Sequence, residues 1–354
     1  MDEVTRSFEL GGRTIGPGQP AYVIAEAGVN HNGKLQLALD LVRAAKKAGA
    51  DCVKFQTFKA EAIVTSKAPK ANYQLKVTDP QETQLAMLKK LELNEGHYKE
   101  IMGLCKELGI QFLSTPYNFD DVDFLEALGV DGFKIASGQL VELPFLADVA
   151  RRGKPLLLST GMATFAEVSE AVATLRASGN VRFAVLQCTT NYPSAMSDAN
   201  LRAMVAMRDA LEVIVGYSDH TEADHAVFAS VALGATVIEK HFTLDRTLPG
   251  PDHSSSFEPS EFARMVQGVR LVEQALGSPV KRPSAAETSN IQGMRRSIVS
   301  LIDVPAGGIL TRANLAFKRP ATGLQPSRLA GVVGKKARKT IQADTPLTED
   351  MIDW

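Results

Sequence analysis

The chain alternates between short apolar runs and longer stretches whose apolar residues recur with helical spacing. A typical run is about five residues long, ends in polar residues and precedes a helix-like stretch that closes near a glycine. We predict eight β-strands from these runs: Tyr22–Ala25, Cys52–Phe55, Gln111–Leu113, Gly132–Ile135, Pro155–Leu158, Phe183–Gln187, Val213–Gly216 and Thr236–Ile238. Strand, helix and strand in repetition favour a parallel sheet.

The stretches between the runs support helices. Leu35, Leu39, Val42 and Ala45 fall on one helical face, and Thr164 begins a T-x-x-E capping box ahead of another apolar face. Before the first run, residues 8–15 predict a short hairpin that turns at two glycines and covers one end of the fold.

Eight such units in about 260 residues match an α/β fold of the (β/α)8 TIM-barrel type, whose active sites lie at the carboxyl ends of the strands. A doubly wound open sheet is the alternative architecture. That fold normally carries a glycine-rich phosphate motif after its first strand, and Glu26–Gly33 has the wrong spacing for one.

The composition changes after the barrel. We predict a catalytic domain over residues 1–277, a polar, proline-containing linker over 278–293, and a small, mostly β domain over 294–354. Val304–Thr311 recurs in similar form as Ile341–Thr348, which indicates two similar halves folded together. A domain of this size is only marginally stable alone, so we expect it to dock on the barrel or on another subunit.

Polar side chains stand at or just beyond the carboxyl ends of all eight predicted strands. They are Glu26; Lys54 and Gln56; Ser114 and Thr115; Lys134 and Ser137; Ser159 and Thr160; Thr189, Thr190, Asn191 and Tyr192; Ser218, Asp219 and His220; and Glu239 and His241. Singly, the lysines could pair with barrel carboxylates and the hydroxyls could cap helices. Together they indicate a pocket suited to a phosphate.

Two of these strand ends carry a histidine beside a carboxylate, Asp219-His220 and Glu239-Lys240-His241. Strand ends on one face of the fold would allow the two imidazoles to share a metal ion, with the neighbouring carboxylates orienting the rings. Imidazole pairs suit Zn²⁺ as well as other divalent ions, and ordinary surface or core histidines are the alternative.

The composition excludes several classes of function. The 354 residues are 45% apolar, and 39 Lys and Arg nearly balance 40 Asp and Glu, so neither nucleic acid nor a membrane surface is an expected partner. No stretch is long enough to span a bilayer and the N-terminus lacks an apolar signal segment, so we expect a cytoplasmic protein. Cys52, Cys105 and Cys188 are expected to be reduced, buried thiols, with a nucleophilic Cys188 as the alternative.

At this point the motifs resemble those of a known family. The strings IAEAGVNHNG, VKFQTF, LSTP, FKIASG, LSTGMA, QCTTNYP, GYSDHT, IEKHFT and PGPDHSSS, followed by RRSIV and AFKRP, resemble the sialic acid synthase (N-acetylneuraminate synthase) family of nonulosonic acid synthases. The resemblance covers almost the whole chain, and the small domain is similar to the family's antifreeze-like (SAF) domain.

The resemblance implies a transferase that condenses phosphoenolpyruvate (PEP) with the open-chain aldehyde of an N-acylated mannosamine-type sugar. Phosphate is released and a nine-carbon sialic acid is formed, with N-acetylneuraminate as the expected product. The expected cofactor is a divalent metal, Mn²⁺ by family usage, with Mg²⁺ or Co²⁺ as alternatives. The resemblance also implies a domain-swapped homodimer in which the partner's small domain closes over the sugar.

Residue roles follow from the same motifs. The resemblance implies that His220 and His241 bind the metal and that Glu26 transfers a proton near the aldehyde oxygen. It implies PEP binding by Lys54, Thr115, Lys134, Ser137, Ser159 and Ser218. It implies sugar binding by Gln56, Gln139, Thr190, Tyr192, Glu239 and Asp252, and by Arg319 from the neighbouring subunit.

Some positions depart from the family pattern. Gln139 replaces a usual carboxylate and Thr190 replaces a common asparagine, both on the sugar side. A 2,4-diacetamido-2,4,6-trideoxy sugar that leads to N,N'-diacetyllegionaminate is therefore an alternative substrate. A Schiff-base aldolase using Lys54 or Lys134 leaves the histidines unexplained. A non-catalytic carbohydrate or ice binder is a further alternative, but it would give the polar strand ends no function.

Overall fold

The computed structural model describes residues 7–79 and 81–354, which divide into two compact units, one extending to residue 277 and the other covering residues 278–354. Residues 1–6 of the predicted catalytic domain lie outside the described residues. Within the described part of the chain, no helix combines the length and apolar composition needed to cross a bilayer.

The described residues of the first unit form ten strands. They are β1 Phe8–Leu10, β2 Arg13–Ile15, β3 Tyr22–Gly28, β4 Cys52–Thr57, β5 Gln111–Pro116, β6 Phe133–Ile135, β7 Leu156–Ser159, β8 Phe183–Cys188, β9 Ile214–Asp219 and β10 Val237–His241. Strands β3–β10 form a parallel sheet in the order β5-β4-β3-β10-β9-β8-β7-β6. Because β5 and β6 also lie against each other, the sheet closes into a barrel, as predicted.

Helices surround this barrel. They are α1 Leu35–Lys47, α2 Ala60–Ile63, α3 Asn72–Val77, α4 Gln84–Lys89, α5 Glu95–Leu108, α6 Phe119–Leu128, α7 Leu143–Arg151, α8 Phe165–Ala177, α9 Leu201–Leu211, α10 His225–Ala232 and α11 Pro259–Leu276. The predicted capping box opens α8, where Thr164 Oγ1 accepts from the Glu167 backbone and the Glu167 carboxylate accepts from the Thr164 backbone. The main core lies between the helices and the outer face of the sheet.

The eight predicted strands correspond to β3–β10, although several continue further than the apolar pattern indicated. Strand β9 runs to Asp219 and β10 to His241, both beyond the last apolar residue. Backbone hydrogen bonds hold these ends in the sheet whatever the side chain, and the inward side chains face a cavity instead of a dry core.

The hairpin β1–β2 closes the amino-terminal end of the barrel, as predicted. Phe8, Leu10 and Ile15 are buried in one cluster with the inward-facing apolar side chains of the barrel strands. The interior is therefore sealed at this end, and the cavity lies at the other.

One connection of the barrel is much longer than usual. Residues 58–94, which we call the β4 excursion, contain α2, α3 and α4, whereas βα loops are normally two to six residues long. Val29, Phe58 and Leu91 form a small buried cluster, with Ile63 and Leu88 packed against it. The excursion thus has its own apolar core beside the barrel mouth.

The second unit is small and mostly β. Its elements are α12 Ala285–Met294, β11 Ser297–Ser300, β12 Leu315–Lys318, α13 Leu329–Val332, β13 Lys336–Ala337 and β14 Ile352–Asp353. The predicted near-repeat is visible in the fold, because Val304 pairs antiparallel with Ile341 while Leu310 and Leu347 occupy one core.

The predicted linker proves to contain a helix. Ser284 caps α12 through a capping box with Glu287, and nearly every residue of the helix is exposed. A helix that buries no face shows no hydrophobic period, so the apolar pattern did not predict it.

Candidate active site

A cavity of about 400 Å³ opens at the carboxyl ends of the barrel strands. All the site residues predicted within the barrel line it: Glu26, Lys54, Gln56, Thr115, Lys134, Ser137, Gln139, Ser159, Thr190, Tyr192, Ser218, His220, Glu239, His241 and Asp252. Arg319 lies in the second unit, where its Nε donates to the Met294 carbonyl oxygen at 3.1 Å. Other polar strand-end residues point elsewhere and do not line the cavity: Ser114, Thr160, Thr189, Asn191 and Asp219.

The register of β9 and β10 explains how the inward side chains are selected. Ser218 lies opposite Glu239 and Asp219 opposite Lys240, and successive side chains point to opposite faces of a sheet. Ser218 Oγ therefore donates to Glu239 Oε1 inside the barrel at 2.9 Å. The Asp219–Lys240 pair points outward.

This geometry corrects one expectation about the histidines. Asp219 accepts hydrogen bonds from the Tyr217 hydroxyl and the Thr221 backbone, and does not orient the ring of His220. The Thr189 carbonyl takes that position, 2.7 Å from His220 Nδ1. The sequence neighbour of a strand-end residue faces the other side of the sheet, which is why the prediction was wrong.

Two lysines and two glutamates form the charged centre of the cavity. Lys54 Nζ lies 2.7 Å from Glu26 Oε2 and 3.8 Å from Glu239 Oε2, and Lys134 Nζ lies 3.6 Å from Glu239 Oε1. All four side chains are almost completely buried. Their charges therefore interact in a poorly screened environment.

Hydroxyls extend this cluster on the lysine side. Lys134 Nζ donates to Ser159 Oγ at 2.7 Å, and Lys54 Nζ donates to Thr115 Oγ1 at 3.3 Å. Ser137 Oγ accepts from the Gly161 backbone N–H at 3.0 Å. Ammonium groups and hydroxyls so arranged are suited to a bound oxyanion.

The two glutamates differ in their affinity for protons. Burial raises the pKa of the Glu26 carboxyl to about 7, even though Lys54 opposes the shift. Burial acts on Glu239 in the same direction, but the cations of Lys134 and Lys54 outweigh it and lower that pKa to about 2. Near neutral pH Glu239 is ionised while Glu26 is poised to exchange a proton.

The imidazoles of His220 and His241 lie together at the cavity wall, with ring centroids 5.3 Å apart. The Tyr192 ring packs at 4.1 Å from the His220 ring, centroid to centroid. His241 Nδ1 is buried without a hydrogen bond and lies 4.0 Å from Asp252 Oδ2. Burial, together with nearby His220, lowers the pKa of His241 well below its usual value, so its imidazole is neutral and free to ligate.

This donor set fits a metal held by two protein ligands. His220 directs Nδ1 toward the Thr189 carbonyl, which leaves Nε2 as the nitrogen available to a metal once the ring is neutral. Among residues 7–79 and 81–354, no group of three or more His, Cys, Asp and Glu side chains is arranged as a metal site. Substrate or water oxygens would have to complete the coordination.

The three cysteines are free and buried, as predicted. Cys188 also lines the cavity, 3.9 Å from His220 Nδ1 and 3.6 Å from Ser137 Oγ. Burial raises the pKa of its thiol, but His220, Ser137 and Lys134 together outweigh burial and lower that pKa to about 7.

Sequence reasoning missed two parts of the site. Tyr117, directly after β5, lines the cavity, as do Ile63, Leu88 and other apolar residues of the β4 excursion. Tyr117 could have been found by extending the polar strand end beyond Pro116. The apolar wall carries no such signal, because its residues have the composition of any small core.

Fold and site together describe a barrel whose mouth combines an imidazole pair with two lysines and several hydroxyls that suit an oxyanion. Residues 41–281 match the model of the NeuB family, and residues 295–353 match that of the SAF domain. The chain belongs to the NeuB family. The members of this family are nonulosonic acid synthases, which are generally metal-dependent. This chain is accordingly a transferase-type enzyme.

Individual relatives span nearly the whole chain. The N,N'-diacetyllegionaminic acid synthase of Campylobacter jejuni is 45% identical, covering 92% of this chain and 98% of the relative. The enzyme of the same name from Legionella pneumophila is 42% identical, covering 96% of each. The crystal structure of N-acetylneuraminic acid (sialic acid) synthetase from Leptospira borgpetersenii, in complex with citrate, has a TM-score of 0.73 and 32% identity, covering 81% of this chain and 95% of that one.

Proposed function

We propose that the enzyme condenses PEP with open-chain 2,4-diacetamido-2,4,6-trideoxymannose to give N,N'-diacetyllegionaminate. One water is consumed and inorganic phosphate is released. The apolar wall beside the charged centre is the observation that carries the choice of sugar. N-acetylmannosamine, which would give N-acetylneuraminate, is the second candidate, supported by the likeness to the solved sialic acid synthetase.

The apolar wall suits a deoxygenated, twice-acetylated sugar. Phe58, Ile63, Leu88 and Leu91 of the β4 excursion line one side of the cavity. These apolar side chains accommodate the C6 methyl and an acetamido methyl, whereas a hydroxyl placed against them would lose water without gaining a hydrogen bond; Gln74 and Gln84 of the same excursion also line the cavity. N-acetylmannosamine instead carries hydroxyls at C4 and C6. The names of the two relatives at 45% and 42% identity agree with this choice.

The lysine and hydroxyl side of the cavity is the proposed PEP site. Lys54 and Lys134, with Thr115, Ser137, Ser159 and Ser218 nearby, would bind the phosphate and carboxylate. These lysines are paired with Glu26 and Glu239. A dianionic phosphate would compete for the same cations, and uptake of a proton by Glu26 would relieve the excess negative charge.

Glu26 is then the proposed proton carrier of the reaction. C3 of PEP attacks the aldehyde carbon, the aldehyde oxygen becomes an alkoxide, and a protonated Glu26 carboxyl can neutralise it. The resulting carboxylate can accept a proton from the water that adds at C2 before phosphate leaves. Glu239, which stays ionised, would stabilise positive charge at C2 and orient the sugar through its carboxylate oxygens.

His220 and His241 are the proposed ligands of a divalent metal, Mn²⁺ by family usage. When bound there, such an ion supplies Lewis-acid polarisation of the aldehyde carbonyl. The neutral state of His241 and its lack of a hydrogen bond at Nδ1 support this assignment.

A homodimer is the proposed assembly, with Arg319 of one copy acting at the other copy's cavity. Met162 lines the cavity yet is 72% exposed, and Val141 and Phe165 are also exposed, as expected of a surface that a partner covers. Residues 278–354 hold twelve Lys and Arg against six Asp and Glu, whereas residues 1–277 hold twenty-seven against thirty-four. Opposite net charges favour docking of a small domain on a barrel.

Phosphate release from PEP tests the function directly. We expect release with 2,4-diacetamido-2,4,6-trideoxymannose and Mn²⁺, weaker release with N-acetylmannosamine, and none with EDTA. Preference for N-acetylmannosamine would move the assignment to a sialic acid synthase. Folded protein that releases no phosphate with either sugar would refute the proposal.

A variant pair tests the role of the wall. Leu88→Thr should lower kcat/KM for the diacetamido sugar relative to N-acetylmannosamine by about tenfold, because apolar contact with the methyl groups is lost. Leu271→Thr makes the same change on the exposed face of α11, where the side chain is 64% exposed, and should leave the ratio unchanged. If both variants gave the same ratio of kcat/KM values for the two sugars, the apolar wall would not determine the choice of sugar.

A further inference from the structure

Tyr117 lines the cavity without belonging to the oxyanion site or the imidazole pair. Its ring packs edge-on against Phe58, with centroids 6.0 Å apart and an interplanar angle of 82°. Its hydroxyl donates to Oε1 of Gln56 at 3.2 Å. The ring is thus anchored by the β4 excursion, and the hydroxyl is directed at a single amide.

That amide bridges Tyr117 to the proposed proton carrier. Gln56 Nε2 donates to Glu26 Oε1 at 3.3 Å, while the other carboxylate oxygen lies 2.7 Å from Lys54 Nζ. Gly28 leaves room for this contact: its φ is +51°, and a Cβ there would lie 3.1 Å from Glu26 Oε1 and 3.3 Å from Gln56 Nε2. Tyr117, Gln56 and Glu26 therefore form a continuous hydrogen-bonded chain.

The main chain of Gln56 is held independently of Tyr117. The Tyr98 hydroxyl donates to the Gln56 carbonyl oxygen at 2.7 Å. Loss of the Tyr117 hydroxyl would consequently release the side-chain amide without releasing the strand.

The orientation of the amide depends on its donor and acceptor partners. A carboxamide can rotate by 180° and exchange oxygen for nitrogen with little change of shape. Burial raises the pKa of the Tyr117 phenol, so the hydroxyl keeps its proton and can donate it to the amide oxygen, as it does in the structure. The rotated amide would place its oxygen against the Glu26 carboxylate, where two acceptors repel.

We propose that Tyr117 is a positioning residue, which orients the Gln56 amide so that this amide holds the Glu26 carboxylate in place for proton transfer. The inference rests on the proposed function, because Glu26 is assigned its role there.

Tyr117→Phe tests this inference, since it removes the hydroxyl and keeps the ring. We expect kcat/KM for the sugar to fall about tenfold, the equivalent of one lost hydrogen bond, with KM for PEP and the melting temperature near their wild-type values. Tyr22→Phe is the matched control: it removes a buried hydroxyl beside the Cys52 thiol at the sealed end of the barrel, away from the cavity, and kcat/KM should not change. Sugar kinetics of Tyr117→Phe within twofold of wild type would overturn the proposal.

A double-mutant cycle shows whether Tyr117 acts through Gln56. If it does, adding Tyr117→Phe to Gln56→Ala causes no further loss, whereas multiplicative losses would contradict the mechanism. A readout without turnover separates this inference from the proposed function. The Gln56 side-chain NH₂ resonances, assigned by their absence in Gln56→Ala, should shift in Tyr117→Phe and stay in place in Tyr22→Phe. Unmoved resonances in Tyr117→Phe would refute the inference even if wild-type enzyme turned over neither sugar.

Discussion

Asp219 and Lys240 form an ion pair of 2.6 Å behind the two cavity histidines, and both residues are fully buried. Lys240 Nζ also donates to the Thr221 carbonyl oxygen and lies 4.3 Å from the centre of the Phe257 ring. Because Asp219 precedes His220 and Lys240 precedes His241, one buried pair fixes the backbone of both proposed metal ligands.

Breaking this pair should destabilise the protein strongly. Lys240→Met leaves a buried carboxylate without its cation, and we expect a loss of about 3–5 kcal/mol in the free energy of unfolding. The double variant Lys240→Met/Asp219→Leu should recover much of that loss. Urea unfolding of wild type, both single variants and the double variant measures the coupling, and additive losses would show that the pair contributes no interaction energy.

Removal of either histidine should abolish turnover without unfolding the barrel. His220→Ala and His241→Ala each delete one of two protein ligands. We therefore also expect the affinity for Mn²⁺ to fall about tenfold to a hundredfold. Phosphate release measures turnover, electron paramagnetic resonance of free Mn²⁺ measures binding, and circular dichroism checks the fold. Full activity in either variant would exclude the metal site.

Acid stability should depend on His31. Burial, with nearby His97, lowers the pKa of this imidazole to about 3, and its Nδ1 accepts from the Gly33 backbone N–H at 3.0 Å. The unfolded chain takes up this proton near pH 6.5, so the stabilisation is complete above that pH and is lost as the pH falls toward 3.

His31→Asn should therefore flatten the pH dependence, because its amide oxygen can replace Nδ1 as the acceptor. We expect the slope of unfolding free energy below pH 6.5 to decrease by up to about 1.4 kcal/mol per pH unit. His225→Asn, at a side chain that is 81% exposed, is the control and should keep the wild-type slope. Denaturant unfolding at several pH values provides the comparison, and parallel curves for His31→Asn and wild type would exclude His31.

Mixing two inactive variants distinguishes action of Arg319 within one chain from action across a dimer. Arg319→Ala and His220→Ala should each be severely impaired. If Arg319 acts on the partner, mixed dimers contain one intact site, and phosphate release should reappear after the variants are unfolded and refolded together. Persistent inactivity of mixed dimers, verified by differential tagging, would place Arg319 at the cavity of its own chain.

Much of this fold was predictable because barrel strands repeat one local pattern. Apolar runs located all eight strands, and polar residues at their ends located the cavity, since both follow from short-range periodicity. Gln139 shows where motif resemblance reaches its limit. It lines the cavity, but its amide accepts from the Ala136 backbone three residues earlier and donates to the Pro116 carbonyl oxygen, a partner that only the tertiary structure brings close.

Other features depend on tertiary contacts and leave no local signal. The β4 excursion packs Phe58 and Leu91 against Val29 of a separate strand connection, so its apolar residues could not be assigned to a wall in advance. In contrast, Ser284 and Glu287 form an S-x-x-E capping signal for α12 that is visible in the sequence, although the helix has no apolar period.

The hairpin that seals the barrel also has a consequence for biosynthesis. Phe8 and Leu10 leave the ribosome before any barrel strand, yet their cluster includes Leu157 and Val237. The hairpin must therefore wait for β7 and β10 to emerge before its buried cluster is complete. Such long sequence separations slow folding and prolong exposure of apolar surface, so the nascent chain should depend on chaperones until β10 has been synthesised.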